Sequence, residues 1–382
     1  MTPLVQTAFA RRHMKMVEAI GANAASQDHD DGNLHADIVM LHAAGWLSAC
    51  LPTALGGKGW GCEWTGLPDA IAALRLMGYA NLATARLFEG HMNAVKLIAL
   101  HAPSATAERI AREVAGGALL GVWGADRPDH RVVVEPAGDS FVLQGHKQFA
   151  SGLGVVSHAV ITAATPGEAG ATQLILAPVG DPAASDPTPW RMAGMQATRS
   201  GHYRFDGLRV TRDDFLGAPD VYFREPFFEG GIWRYCAAHA GGAEALYDAW
   251  QHHLVERNRI NDPIQRSRLI DAMKAIGTAN LWVDHAARSV EHPDALDADN
   301  AANGVATALI AREMTEVGCL AVIALAEKAL GMAAHMHGSP IERIRRDLRL
   351  YLCQAAPDAK HHRIGDTLLD NGGSSADESD DA

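Results

Sequence analysis

The sequence lacks the marks of several protein classes, and each absence narrows what it can be. Five cysteines (Cys50, Cys62, Cys236, Cys319 and Cys353) include no C-x-x-C pair, and an odd count suits no closed disulfide framework. Reduced, cytoplasmic chemistry is the expectation. No uninterrupted apolar run reaches the roughly eighteen residues of a bilayer-crossing helix, and Arg11, Arg12 and Lys15 precede no apolar stretch, so neither a membrane span nor secretion is expected. The arginine-rich stretches at 257–268 and 343–349 are interleaved with apolar residues at helical spacing. They offer no continuous basic stripe to phosphates, and no nucleic-acid partner is expected. There is no P-loop, and no G-x-G-x-x-G follows a strand, which argues against a Rossmann-type flavin site. Adjacent histidines at 252–253 and 361–362 would point apart on a helix, and His335-x-His337 lacks a third ligand nearby. No metal is expected.

What is present suits a large folded chain. It has 382 residues, of which 48% are hydrophobic, enough to bury the cores of two or three domains. Its formal net charge is −12, but Asp377, Glu378, Asp380 and Asp381 crowd the last six residues, so the body is only mildly acidic.

The periodicity divides the chain in four. Residues 1–118 repeat Ala, Leu, Met and charged residues at three- and four-residue spacing and read as an N-terminal helical domain without strands. Residues 119–218 hold short β-branched or alternating runs at 131–134, 140–143, 158–162, 173–176 and 202–205, separated by Gly, Pro and Asp. They read as a middle antiparallel β-barrel or sandwich. Residues 219–369 return to helical spacing, with long amphipathic stretches at 237–258, 264–290 and 301–334, and predict a C-terminal four-helix bundle. The Gly/Ser/Asp-rich tail at 370–382 is expected to be disordered.

Four stretches in order resemble the acyl-CoA dehydrogenase family. They are Leu-Pro-Thr-Ala-Leu-Gly-Gly-Lys-Gly-Trp at 51–60, Leu-Gln-Gly-His-Lys-Gln-Phe-Ala-Ser-Gly at 143–152, Trp-Arg-Met-Ala-Gly-Met-Gln-Ala-Thr-Arg-Ser-Gly at 190–201, and Glu-Arg-Ile-Arg-Arg-Asp-Leu-Arg at 342–349. The resemblance implies an α+β acyl-CoA dehydrogenase-like fold with FAD held between the β-domain and the helices. It also implies that Phe149 and Ser151 line the isoalloxazine ring, and that the loop carrying Trp123 is a second flavin contact. Trp123 could instead be a buried packing residue, since this loop departs from the family pattern, with the flavin contact favoured. Arg257 matches the arginine that meets the FAD pyrophosphate of a neighbouring subunit, a task suited to a permanently charged fork. A homodimer or homotetramer is the corresponding expectation. Gly331 is the one residue kept from the glycine-rich loop at the adenosine end.

Where the family carries its glutamate base, counting on from Asp347 reaches Ala355, which cannot take a proton. Glu229, Tyr235 and Asp358 are the candidate replacements. The leading expectation is dehydrogenation of an acyl thioester or related small substrate, in which a carboxylate base removes the α-proton. Two alternatives stand beside it. One is a reduced-flavin-dependent monooxygenase on the same fold, which needs no such base; the other is a non-catalytic member whose flavin site has decayed.

Overall fold

The computed structural model describes residues 7–166, 170–354 and 356–369. The acidic tail and Ala355 lie outside the described residues. Helices α1 (Ala8–Gln27), α2 (His35–Ala43), α3 (Trp46–Ala49), α4 (Leu67–Ala80), α5 (Leu82–His101) and α6 (Ser104–Ala115) come first, with no strand among the described residues before 119. Thr7 caps α1 by accepting the Ala10 N–H at 3.0 Å, and Asn81 caps α5 through the Ala83 N–H, also at 3.0 Å. The 51–60 stretch folds back on α3, with Gly59 N donating to Leu51 O at 2.9 Å and Trp60 N donating to Ala49 O at 3.0 Å. A Cβ at Gly57 would come 1.9 Å from Leu51 O, so only glycine fits there. Trp60 then stacks edge-on against Trp46, with ring centroids 5.4 Å apart. This family-like stretch is a packing device of the N-terminal core.

The strands follow: β1 (Leu119–Trp123), β2 (Val133–Ala137), β3 (Ser140–Gln144), β4 (His146–Ala150), β5 (Val156–Ala164), β6 (Thr172–Pro178), β7 (Ser185–Asp186), β8 (Gly201–Arg204), β9 (Leu208–Val210) and β10 (Phe215–Leu216). They form a larger sheet in the order β10-β6-β5-β2-β3-β9, with β1 beside β5, and a small sheet β4-β8-β7. The expectation of a purely antiparallel domain needs correction, because β1 and β2 each pair with β5 in parallel. The chain arrives at β1 from α6 and crosses over before β5, which leaves those neighbours running the same way.

Helices α7 (Trp233–Glu256), α8 (Pro263–Glu291), α9 (Ala298–Leu330), α10 (Pro340–Tyr351) and α11 (Pro357–Leu369) complete the chain. α7, α8, α9 and α10 form the expected bundle, with α11 lying on α9. α9 bears on the expectation of no membrane span. A helical span at Asn300–His335 is long and apolar enough, by length and composition, to cross a membrane. In the fold it is a bundle helix, packed on α7 and α8 and carrying the buried Arg312. α4 and α7 join the helical parts through reciprocal glycines: a Cβ at Gly78 would meet Ala238 O at 2.0 Å, and one at Gly241 would meet Arg75 O at 2.0 Å. Close backbone approach at this crossing brings α5 and α7 to opposite sides of one interior space.

Candidate active site

The site begins with Lys147 on β4. Its side chain is fully buried, and Nζ donates to Asp126 Oδ1 at 2.6 Å, Thr162 Oγ1 at 2.8 Å and Gly124 O at 3.2 Å. Burial lowers its pKa, against the opposing pull of Asp126. This anchor ties β4 to the end of β1 and to β5. The β4–β8 register then shifts between Lys147 and Ala150, and Phe149 adopts φ 54° in that bulge. A bulge re-aims a side chain. Here the Phe149 ring is 52% exposed and meets the Trp190 ring edge-on, with centroids 6.5 Å apart.

Ser151, two residues on, is buried and belongs to a row of hydroxyls. Ser200 Oγ donates to Ser151 Oγ at 2.8 Å, and the Thr198 and Ser200 hydroxyls lie 2.8 Å apart. Trp123 Nε1 donates to Ser151 O at 3.1 Å and fixes the row from below. The other side is the loop from Trp190 to Ser200, held by α10. Asp347 Oδ1 accepts the Met195 N–H at 2.7 Å, and Arg346 Nη1 donates to Ala193 O at 2.6 Å. Burial pushes the Asp347 carboxyl up to about 6, despite the Met195 N–H and the Arg346 guanidinium that favour its charge.

Phe149, Ser151, Trp190, Thr198, Ser200 and Tyr351 thus line a mostly apolar slot of about 560 Å³. Among the described residues, six with side chains have φ in the left-handed region. Four of them, Phe149, Met195, Arg199 and Ala356, stand in or beside this slot. Strain concentrated in this way marks a surface shaped for something other than its own packing. A flat aromatic left half open beside a hydroxyl row fits an isoalloxazine ring, which presents two π-faces and a polar edge.

A second cavity of about 560 Å³ shares the walls Arg86, Val122, Gly124, Ala125 and Gln354 with the slot. This chamber is charged. Its carboxylates are each bound to a cation: Glu89 to Arg86 at 2.7 Å, Asp126 to Lys147 at 2.6 Å, and Glu229 to Lys360. The Tyr235 hydroxyl in the chamber and the Tyr351 hydroxyl at the slot are buried without a partner among the described residues. Burial pushes both phenols well up, so each holds its proton. His239 lies between them, its ring centroid 5.4 Å from that of Tyr235 and 4.4 Å from that of Tyr351, and burial pushes it down to about 3.

Residues 234–354 match the family described as acyl-CoA dehydrogenase, C-terminal domain. The dibenzothiophene monooxygenase of Rhodococcus qingshengii is 29% identical over 229 residues, covering 54% of this chain and 51% of that protein. That of Mycolicibacterium goodii is 28% identical over 201 residues, covering 50% and 47%. The chain spans about half the length of the curated relatives it matches. Among solved structures, the FMN-bound TdsC of Paenibacillus sp. A11-2 superposes with a TM-score of 0.84 at 18% identity, over 96% of this chain and 98% of that one. The methanesulfinate monooxygenase MsuC of Pseudomonas fluorescens gives 0.81 at 20% identity, over 97% of each chain. At such identities these structures speak for the fold alone. Residues 234–354 thus carry the likeness to the acyl-CoA dehydrogenase C-terminal domain, and the chain as a whole shares the fold of these solved structures.

Against that family's pattern, the expected site residues separate into two groups. Phe149, Ser151 and Trp123 come together in the slot, with Trp123 acting from a fully packed position. Glu229 and Tyr235 line the chamber. Asp358 is exposed on α11 and lines neither cavity, and His361 and His362 are exposed beside it. Arg257 is exposed at the end of α7, and Gly331 ends α9 with φ 60°, also outside both cavities. Sequence reasoning missed Arg86, Gln354 and Tyr351 as site residues. In the 190–201 stretch the aromatic Trp190 and the hydroxyl-bearing Thr198 and Ser200, close to Gly201, are the signal that points to the remaining lining residues.

Proposed function

We propose that this chain is a flavin-dependent monooxygenase: a flavin, reduced by an external reductant, supplies the chemistry that passes one oxygen atom of O2 to a small substrate. The observation that carries this reading is the state of the chamber carboxylates. Glu89, Asp126 and Glu229 are each committed to a cation. An ion-paired carboxylate is stabilised in its charged form and is a weak base. Removing an α-proton from a thioester needs a desolvated carboxylate of raised pKa, and the position the family uses for it is Ala355. Oxygen transfer makes no such demand. The dibenzothiophene monooxygenase relatives support the same reading.

In this scheme the chain's own residues bind, orient and exclude water. Phe149 and Trp190 would hold the ring system, and Ser151, Thr198 and Ser200 would meet its polar edge. Tyr235 and Tyr351 would offer neutral O–H donors where slot and chamber join. FMN, as bound by TdsC, would ask for no contact with an adenylate half beyond the slot. FAD would need Arg257 and Gly331 to meet its adenylate half, and neither borders the slot. Outward-facing Ile270 and Leu281 on α8, 60% and 73% exposed, support a self-associating chain.

The test is to load the purified protein with FMN and supply a flavin reductase, NADH and labelled O2 with a panel of aromatic sulfur and nitrogen compounds. Label in the product supports oxygen transfer. Flavin bleaching by acyl-CoA thioesters without O2 would instead establish dehydrogenation, and protein that retains neither FMN nor FAD would establish a decayed site. Glu229→Gln sharpens the choice. Oxygenation should change by less than about tenfold, whereas loss of a true general base typically removes ~10²–10⁴ of the rate.

A further inference from the structure

The charges lining the chamber do not balance, and the excess is localised. Arg86 is matched by Glu89, Lys360 by Glu229 and Lys147 by Asp126. Arg131, 4.0 Å from Asp126, is 55% exposed and keeps its hydration. Lys96 and Arg234 differ, because both cations share the one carboxylate of Glu291. Lys96 Nζ is 2.8 Å from Oε2 and Arg234 Nη2 is 2.6 Å from Oε1, and the Glu291 side chain is only 5% exposed. Trp233 Nε1 also donates to Glu291 at 3.1 Å. Two largely buried cations against one anion leave a single positive charge without a protein counter-charge in the chamber wall.

Arg234 has donors to spare. It is 2% exposed, Nη2 is occupied by Glu291 and Gly61 O, Nε has no partner, and Nη1 donates to none of the described residues. Nη1 stands beside Gly231, where an added Cβ would crowd it at 3.3 Å, so the glycine leaves this donor uncovered on the chamber wall. Lys96 Nζ sits 5.4 Å from the Phe227 ring centroid, which adds an apolar surface to the same wall. Arg234, Lys96, Gly231 and Phe227 all line the chamber, and none lines the slot.

We infer that this wall is a binding subsite for a small organic anion, with Arg234 Nη1 and Lys96 Nζ facing its carboxylate or sulfonate group and Phe227 facing its apolar part. This rests on the monooxygenase reading for the identity of the anion as substrate, but not for its binding. A guanidinium with unused donors recognises a planar or tetrahedral oxyanion through short charge-assisted hydrogen bonds, and an uncompensated buried charge rewards a ligand that cancels it.

The test is calorimetric titration of FMN-loaded protein with benzoate and benzenesulfonate, against neutral methyl phenyl sulfone and cationic benzylamine. Both anions should bind at least about tenfold more tightly than the sulfone, and benzylamine should bind most weakly. Lys96→Met should weaken the anions alone, whereas Glu291→Gln, which adds a second uncompensated charge, should tighten them alone. Anions binding no better than the sulfone, or unmoved by Glu291→Gln, would overturn the subsite. Repeating the titrations without FMN, and following flavin retention by its absorption near ~450 nm, separates the two ideas. Anion preference without flavin retention leaves the subsite and removes the monooxygenase reading; flavin retention without anion preference does the reverse.

Discussion

The slot and the chamber share five residues of wall yet are built by opposite means. The aromatic and hydroxyl-bearing side of the slot comes from two short segments, 148–151 and 190–200, with 122–125, 350–354 and Ala356 closing it, and its character is backbone-made: a bulge turns Phe149 outward, and left-handed φ at Met195 and Arg199 shapes the facing loop. The chamber draws Arg86, Glu89 and Lys96 from α5, Arg234 and Tyr235 from α7, Glu229 from the turn before α7, and Lys360 from α11. Its character is charge-made: Arg86 and Glu89 pair along α5, whereas Lys96, Arg234, Glu229 and Lys360 persist in the interior only with a partner from elsewhere in the chain. A surface that meets a flat ring can be encoded locally; a charged wall has to be assembled.

The comparison can be broken most severely at Lys147, which lines neither cavity but holds Gly124, a wall of both, and Asp126, a wall of the chamber. Lys147→Met leaves Asp126 facing an apolar side chain, and breaking a buried pair of this kind costs ~3 kcal/mol or more. Chemical denaturation should show that loss together with loss of flavin binding. A variant as stable as the parent would mean that β4 is held by its ladder alone.

Acid should act on slot and chamber alike. His91 on α5 accepts the Leu120 N–H at 3.1 Å and meets Leu47 O at 3.1 Å, joining α5 to β1, and these two elements carry walls of both cavities. Burial pushes His91 down to about 4 from its ordinary value of 6.5. The unfolded chain therefore takes up the proton first. The stability that neutral His91 provides is present above pH 6.5 and is lost as the pH falls toward 4, by up to ~3 kcal/mol. Unfolding midpoints measured between pH 7.5 and 4.5 should fall accordingly, with flavin and chamber ligand released in parallel.

A sharper separation comes from Asp347→Ala. Losing a charged acceptor for the Met195 N–H removes ~1.5–3 kcal/mol from that loop. The FMN dissociation constant, read by quenching of flavin fluorescence, should rise about tenfold or more, while benzoate binding to the chamber stays unchanged. The smallest effect is expected at Arg257→Ala, where FMN retention after dialysis should match the parent. A marked loss would restore FAD, with its adenylate half reaching across subunits.

How much of this was legible depends on how local each feature is. The helix–strand–helix order, and the placement of Phe149 and Ser151 beside the end of a strand, follow from period and motif within a few residues. The parallel pairing of β1 and β2 with β5 does not, since strand direction in a sheet depends on the path between strands. Asp347 shows the same limit in another form. Its stretch is recognisable, but its action, accepting the Met195 N–H more than a hundred residues away, is not. Asp358 was nominated by nearness in sequence and turned out to face solvent, while Arg86, from a helix with no motif at all, lines both cavities.

By itself the sequence determined the segment types, the nearness of Phe149 and Ser151 at the end of a strand, and the absence of a carboxylate at Ala355, because periodicity, short motifs and residue identity need no partner. Only the tertiary structure decided which charges meet. Whether Glu229 is a free base or half of an ion pair, and whether Arg234 has a donor left over, depends on Lys360 and Glu291 arriving from other helices, and Coulomb interactions in a buried wall are set by distance in space rather than along the chain.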